Sequence, residues 1–188
     1  MHRRCLIESY YLQFDSKKTI LVGTDSIGLY YGRQKLRQLL SEERILPSCT
    51  ITDSPDVALR GVVEGFYGNP YSHRDRIEQF KFYGRTKLNT YIYGPKDDPY
   101  HREKWRELYP SEERQRIGQL VSEAHSRGVR FVWAIHPGLD IKWTQTDRDA
   151  VVRKCEDMYH LGVRSFAVFF DDISADDESA GHQADLMN

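Results

Sequence analysis

The chain has 188 residues, 39% of them hydrophobic and 29% charged, enough for one substantial core or two small ones. Its 27 Lys and Arg stand against 28 Asp and Glu, so a net charge of -1 offers no electrostatic footprint for nucleic acid or an anionic membrane surface. No apolar run approaches the ~18 residues of a membrane helix, nothing after Met1 reads as an export leader, and Cys5, Cys49 and Cys155 lie too far apart for a zinc or redox motif. The cysteines are read as ordinary buried or half-buried thiols.

Taken in chain order, residues 6 to 22 predict a hairpin. Tyr10-Tyr11-Leu12-Gln13-Phe14 alternates, Asp15 to Lys18 breaks the run, and Thr19-Ile20-Leu21-Val22 resumes it. Gly23-Thr24-Asp25-Ser26 is a turn, after which Ile27, Leu29, Tyr30, Leu36, Leu39 and Leu40 recur at roughly helical spacing. Thr50 to Pro55 reads as a connector, because Pro47, Pro55 and small polar residues interrupt any period. A hairpin with one helix buries too little to stand alone. Residues 1–57 are therefore expected to be the C-terminal part of a larger α+β domain.

The rhythm changes at Arg60. Gly61 to Phe66 is an apolar strand, and a helix follows from near Ser72 with Ile77, Phe80 and Tyr83 on one face. Asn89 to Tyr93 is the next strand, and a helix starts at Ser111, carries Ile117, Leu120, Val121 and Ala124, and ends near Gly128. Arg130 to Ile135, Asp147 to Leu161 and Ser165 to Phe170 read as strand, helix and strand, with another helix starting near Gln183. Near-continuous apolar strands alternating with helices predict parallel β/α units covered on both faces. Polar and glycine residues cluster where each strand ends: Glu64 to Gly68, Gly94 to Asp98, His136 to Asp140, and Asp171-Asp172. That layout fits the active face of a (β/α)8 TIM barrel. A doubly wound open sheet has the same local pattern, but no glycine-rich phosphate turn follows the first strand. A barrel needs eight strands and ~250 residues, so residues 58–188 are expected to form only its N-terminal half.

Val168-Phe169-Phe170-Asp171-Asp172 is the most informative stretch. An apolar run ending in two carboxylates is either surfacing, with both aspartates solvated, or building a site, because burying charge is costly unless it is paired or used. Two adjacent carboxylates can divide labour: one stays ionised while the other is pushed towards its neutral form and acts as a general acid. Since successive strand residues face opposite ways, both reach one pocket only if the backbone turns at the pair. Other residues carry paired readings. Lys96 is a surface ion-pair partner or a ligand group. Gly65 and Gly68 make a tight turn or admit a ligand close to the backbone. His136 is a loop histidine or a base, Trp105, Trp133 and Trp143 are core or a sugar-stacking face, and Asp176-Asp177-Glu178 is a solvated loop or part of a divalent-metal box.

Four segments in order carry a resemblance: Arg60 to Pro70 (RGVVEGFYGNP), Asn89 to His101 (NTYIYGPKDDPYH), Trp133 to Gly138 (WAIHPG) and Ser165 to Ile173 (SFAVFFDDI). Together they resemble family 84 of the glycoside hydrolases. Its members are β-N-acetylglucosaminidases, among them protein O-GlcNAcases and bacterial enzymes labelled hyaluronidases. The resemblance implies a retaining, substrate-assisted hydrolysis through an oxazoline, outside the usual two-carboxylate scheme. By position Asp171 would orient the substrate's acetamide, Asp172 would be general acid and then base, and Gly65 and Lys96 would hold sugar hydroxyls. No metal or organic cofactor is implied. The expected partners are N-acetylglucosamine-containing glycans or glycoproteins, with no nucleic acid and no membrane. Further pocket residues come from later strands in this family, so residues 1–188 alone are expected to be incomplete for activity, a non-hydrolytic carbohydrate-binding fragment being the alternative.

Overall fold

The computed structural model describes residues 7–42, 48–171 and 179–187; Cys5, Asp172 and the run Asp176 to Glu178 lie outside them. The strands form two sheets. The first is antiparallel, with β1 (Tyr10–Phe14) between β2 (Thr19–Gly23) and β3 (Cys49–Asp53), and α1 (Ser26–Glu42) packs over it. Alternation along β1 sends Tyr10, Leu12 and Phe14 inward, where they meet Tyr31 of α1, with Leu21 and Ile51 partly buried at the margin.

β3 corrects the expectation of a connector over Thr50 to Pro55. Its five residues pair with β1 from Tyr10↔Asp53 to Phe14↔Cys49, and Cys49, Ile51 and Asp53 are half-buried while Thr50 and Thr52 face solvent. Pro55 lies beyond the strand rather than within it, and Pro47 lies outside the described residues. The strand escapes a hydrophobicity reading because one of its three inward positions is an aspartate. Asp53 is stabilised there by Tyr10, whose hydroxyl donates to it at 2.8 Å, and by Lys87 Nζ at 2.7 Å.

The second sheet is parallel throughout, in the order β4 (Gly61–Glu64), β5 (Thr90–Tyr93), β6 (Arg130–Ile135) and β7 (Ser165–Val168). The helices α2 (His73–Thr86), α3 (Ser111–Ser126) and α4 (Gln145–His160) follow the first three strands, and α5 (Ser179–Met187) comes after β7. The alternation of strand and helix expected from Arg60 onward is thus present as a mixed α/β fold with a parallel sheet. Ser72 starts α2 through a reciprocal capping box with Asp75, and Thr144 caps α4 by accepting from the Asp147 N–H. Gly61 is required where β4 opens, since a Cβ there would stand 1.6 Å from the Thr90 carbonyl oxygen. The core is aromatic: Phe80, Tyr91, Phe131 and Trp133 are fully buried between sheet and helices, and Phe80 meets Tyr91 edge-on with centroids 5.1 Å apart.

Arg60 ties the two sheets together. Its guanidinium donates to Glu8 at 2.7 Å, to the Tyr31 hydroxyl at 3.2 Å and to the Lys87 carbonyl at 3.1 Å, and its N–H donates to Asn89 at 2.9 Å.

Lys154 of α4 is wholly buried, donates to the Glu107 carbonyl, and has its Nζ 4.3 Å from the Tyr109 ring centroid. Burial pushes its pKa down to about 8, against the opposing pull of Asp98. The unfolded chain therefore holds more protons here than the native state between pH 8 and the ordinary lysine range, and the native state gains stability as pH rises through that window. Lys154→Met is expected to raise the melting temperature at pH 7, and that advantage should shrink by pH 9.5. Thermal denaturation of both proteins at the two pH values checks this; an advantage that grows with pH would refute it.

Candidate active site

The carboxyl ends of β4 to β7 converge on a small area. The strand run expected to reach Phe170 leaves regular pairing at Val168, but the Phe169 N–H still donates to the Ile135 carbonyl at 2.8 Å and carries the ladder one residue further. The Phe169 ring then crosses the neighbouring strand ends. A Cβ on Gly94 would lie 2.6 Å from Phe169 Cε2, so only glycine admits the ring there. A Cβ on Gly65 would stand 3.5 Å from Val63, 3.8 Å from the Gly94 carbonyl oxygen and 3.9 Å from Phe169, all ordinary contacts. Among the described residues nothing therefore demands glycine at 65. Gly68 adopts a φ of +106° with open space around it, the tight turn of the bland reading.

Asp171 sits in a turn just beyond this ring. Its Oδ2 is 2.5 Å from Lys96 Nζ, its Oδ1 is 3.3 Å from His136 Nε2, and its backbone oxygen is 2.7 Å from the same nitrogen. Three strand ends, 35 and 75 residues apart in sequence, thus meet at one carboxylate. The Lys96 side chain is only 6% exposed, with Nζ also 5.2 Å from the Tyr67 ring centroid: it is an ion-pair partner of an aspartate, as the bland reading has it, but a buried one rather than a surface one. Partial burial of Asp171 pushes its carboxyl upward, but the Lys96 hydrogen bond and charge outweigh that and hold the pKa below the ordinary aspartate value. The carboxylate is therefore ionised throughout the neutral range, and the ion pair is lost only as pH falls through that lowered value.

The loop carrying Lys96 is anchored by Asp98. Its Oδ2 accepts from the hydroxyls of Tyr93 and Tyr109 at 2.9 and 2.7 Å, and its Oδ1 accepts from the Tyr100 N–H at 2.8 Å. Below the β4 end, Glu64 is fully buried and takes a bidentate pair from Arg76, at 2.7 and 2.9 Å, together with the Tyr91 hydroxyl and the Tyr71 N–H. This cluster holds the loop after Gly65. It escapes sequence reasoning except in outline: an acid closing an apolar strand requires a partner, but nothing marks Arg76 as that partner.

Among the predicted site residues, the fold joins Asp171 to Lys96 and to His136 and sets Gly65 beside Gly94 and Phe169, while Asp172 and the acidic run after it lie outside the described residues. Trp105 and Trp133 are fully buried, with their indole N–H groups donating to Asp140 and Tyr109, so neither offers a stacking face. Trp143 is half-buried at a φ of +59°, stacked on His182 with centroids 5.4 Å apart and tilted against Phe170 at 5.9 Å. A cavity of about 410 Å³ opens elsewhere, between α2, α3 and the loop after β5; Tyr71, Arg76, Asp97 and Tyr100 line it, and neither Lys96 nor Asp171 does.

Chemically, an ionised carboxylate pinned by a buried cation and an imidazole is an acceptor for a ligand N–H rather than a proton donor. Comparison with known proteins agrees with a glycosidase setting. A family model described as beta-N-acetylglucosaminidase matches residues 60–188, and one described as glycosyl hydrolase family 20, domain 2, matches residues 5–54. Protein O-GlcNAcase of Rattus norvegicus is 45% identical over 116 residues, covering 61% of this chain and 13% of the relative, and that of Mus musculus matches to the same extent. The solved structure of CpGH84B superposes with a TM-score of 0.90 at 42% identity, covering 100% of this chain and 34% of that one. CpGH84D gives 0.86 at 32% identity, covering 96% and 31%. The chain thus spans about a third of the solved relatives' length and 13% of the curated relatives'.

Proposed function

The chain belongs to the β-N-acetylglucosaminidase family, family 84 of the glycoside hydrolases, and on that premise we propose that the protein removes terminal β-linked N-acetylglucosamine with retention, through substrate-assisted catalysis. The observation that carries the reading is the Asp171 carboxylate, kept ionised by Lys96 and held by His136 where four parallel strands end.

In the proposed reaction, Asp171 accepts the N–H of the substrate's 2-acetamido group, which orients the acetamide and raises the nucleophilicity of its carbonyl oxygen. That oxygen attacks the anomeric carbon as the glycosidic bond breaks, and Asp172 donates its proton to the departing oxygen. The carboxylate left at Asp172 then takes a proton from water, which attacks the anomeric carbon and reopens the oxazoline to the β-hemiacetal. Keeping Asp171 anionic favours a neutral Asp172 beside it, because like charges side by side disfavour double ionisation. Lys96 and the Gly65 backbone hold ring hydroxyls; the room that the described residues leave at Gly65 supports close approach of a sugar. No step uses a metal or an organic cofactor.

Residues 58–188 would form the first half of a (β/α)8 barrel, preceded over 1–57 by the end of an α+β domain, and later strands would complete the pocket. The solved relatives are about three times as long as the stretch they share with this chain, which supports that reading. Glycans or glycoproteins bearing N-acetylglucosamine are the proposed partners. The full-length protein should hydrolyse a chromogenic N-acetyl-β-glucosaminide in the presence of chelator and release the β-anomer first, as followed by proton NMR. Release of the α-anomer, or activity abolished by chelator, would overturn the mechanism. Residues 1–188 alone should show little or no turnover, and strong activity from them would overturn the half-barrel reading.

A further inference from the structure

We propose that His136 is a positioning residue for Asp171, acting as a neutral imidazole whose single Nε2–H is shared between the backbone oxygen and the Oδ1 of that residue. The inference rests on the reading of Asp171 as the acetamide acceptor and extends it to how that acceptor is aimed.

His136 is the first residue after β6, and its backbone N–H donates to the His101 carbonyl at 2.7 Å, which fixes where the ring starts. The ring has no exposed surface. Nε2 stands 2.7 Å from the Asp171 carbonyl oxygen, an acceptor with no proton to give, so Nε2 must carry the hydrogen. The other nitrogen, Nδ1, is buried and has no hydrogen-bond partner among the described residues. A proton there would leave a buried N–H unsatisfied, which is costly, so the geometry selects the Nε2–H tautomer.

The same nitrogen lies 3.3 Å from Asp171 Oδ1. One rigid donor thus touches both the main chain and the side chain of a single residue and couples its backbone angle to its side-chain rotamer. This matters because Asp171 follows the end of β7, and its side chain is 51% exposed. A half-exposed carboxylate in a turn has rotamers to lose on binding. Lys96 cannot remove them alone: its ammonium is a point charge on a flexible stem and binds any orientation of Oδ2 within reach. Lys96 therefore sets the charge of Asp171 and His136 sets its direction, so the acceptor is already aimed before substrate arrives.

The test uses the full-length protein with N-acetyl-β-glucosaminides bearing a good and a poor leaving group. His136→Leu removes the donor, and His136→Gln returns an amide N–H near the Nε2 position. His136→Leu should lower kcat roughly 10- to 100-fold, by analogy with the loss of a hydrogen-bonded partner that orients a metal ligand. KM should change little, and the loss should be the same for both leaving groups, because acetamide attack rather than proton donation is impaired. His136→Gln should recover most of the rate. In protein labelled with ¹⁵N-histidine, long-range proton–nitrogen correlation should show the Nε2–H tautomer at His136. Wild-type kcat in His136→Leu, activity in both variants that falls only in step with melting temperature, or an Nδ1–H tautomer would each overturn the inference while leaving the functional reading intact. A wild-type protein inactive on both glycosides would overturn the functional reading and with it the catalytic role of His136.

Discussion

Asp172→Asn should lower kcat/KM for an N-acetylglucosaminide with a poor, alkyl leaving group by roughly 100- to 10,000-fold, the usual contribution of a positioned general acid. For an activated aryl leaving group the loss should be far smaller, because an oxygen that departs readily as an anion needs little protonation. Asp171→Asn should behave differently. It removes the ionised acceptor proposed to orient the acetamide, an interaction needed in forming and in opening the oxazoline whatever the leaving group is. A uniform loss of roughly 100- to 1,000-fold is expected, comparable to removing one preorganised electrostatic contact in a transition state. The two adjacent residues are thus separated by the slope of rate against leaving-group acidity: steep for Asp172→Asn and unchanged for Asp171→Asn. Equal behaviour of the two variants, or an Asp172→Asn enzyme unaffected on the poor leaving group, would sink the division of labour.

Glu64→Ala should destabilise the protein by about 3–5 kcal/mol, the range for breaking a buried ion pair by removing one partner. The Glu64 side chain is 1% exposed and that of Arg76 12%, so truncation leaves the guanidinium with little water to replace its partner. The Tyr91 hydroxyl loses its acceptor at the same time, and burial, ahead of the charge of Glu64, already holds that phenol well above its ordinary pKa. The Tyr71 N–H loses its tie as well, which frees the loop after Gly65. Glu64→Gln keeps an acceptor oxygen and the side-chain volume and should cost distinctly less. Chemical denaturation of the three proteins measures the series, and a loss below about 1 kcal/mol for Glu64→Ala would show that water solvates Arg76 in place of the carboxylate.

Much of the molecule is legible in the chain. From Arg60 onward the strands stand in the order and places read from the sequence, although β4 and β7 each end two residues before the apolar run does, because each carries a short apolar run and local pattern is what one sequence displays. β3 was not legible. Cys49 to Asp53 has strand alternation, but its inward aspartate is tolerable only because Tyr10 and Lys87, distant in sequence, meet it. Local periodicity carries no information about such a partner.

The site divides the same way. Asp171, Lys96 and Gly65 each stand where a predicted strand ends, and an apolar run closing in carboxylates demands an explanation on grounds of desolvation alone. The sequence by itself therefore determined which residues are candidates. The tertiary structure decided which of them act on one another. It brought Lys96 and His136 to the same carboxylate, withdrew Trp105 and Trp133 into the core, and gave Glu64 to Arg76. Candidate chemistry is a property of residue type and local hydrophobicity, which the chain carries in order. Charge state and aim depend on through-space distances of a few ångströms between strand ends tens of residues apart, and only the parallel pairing of β4 to β7 creates them.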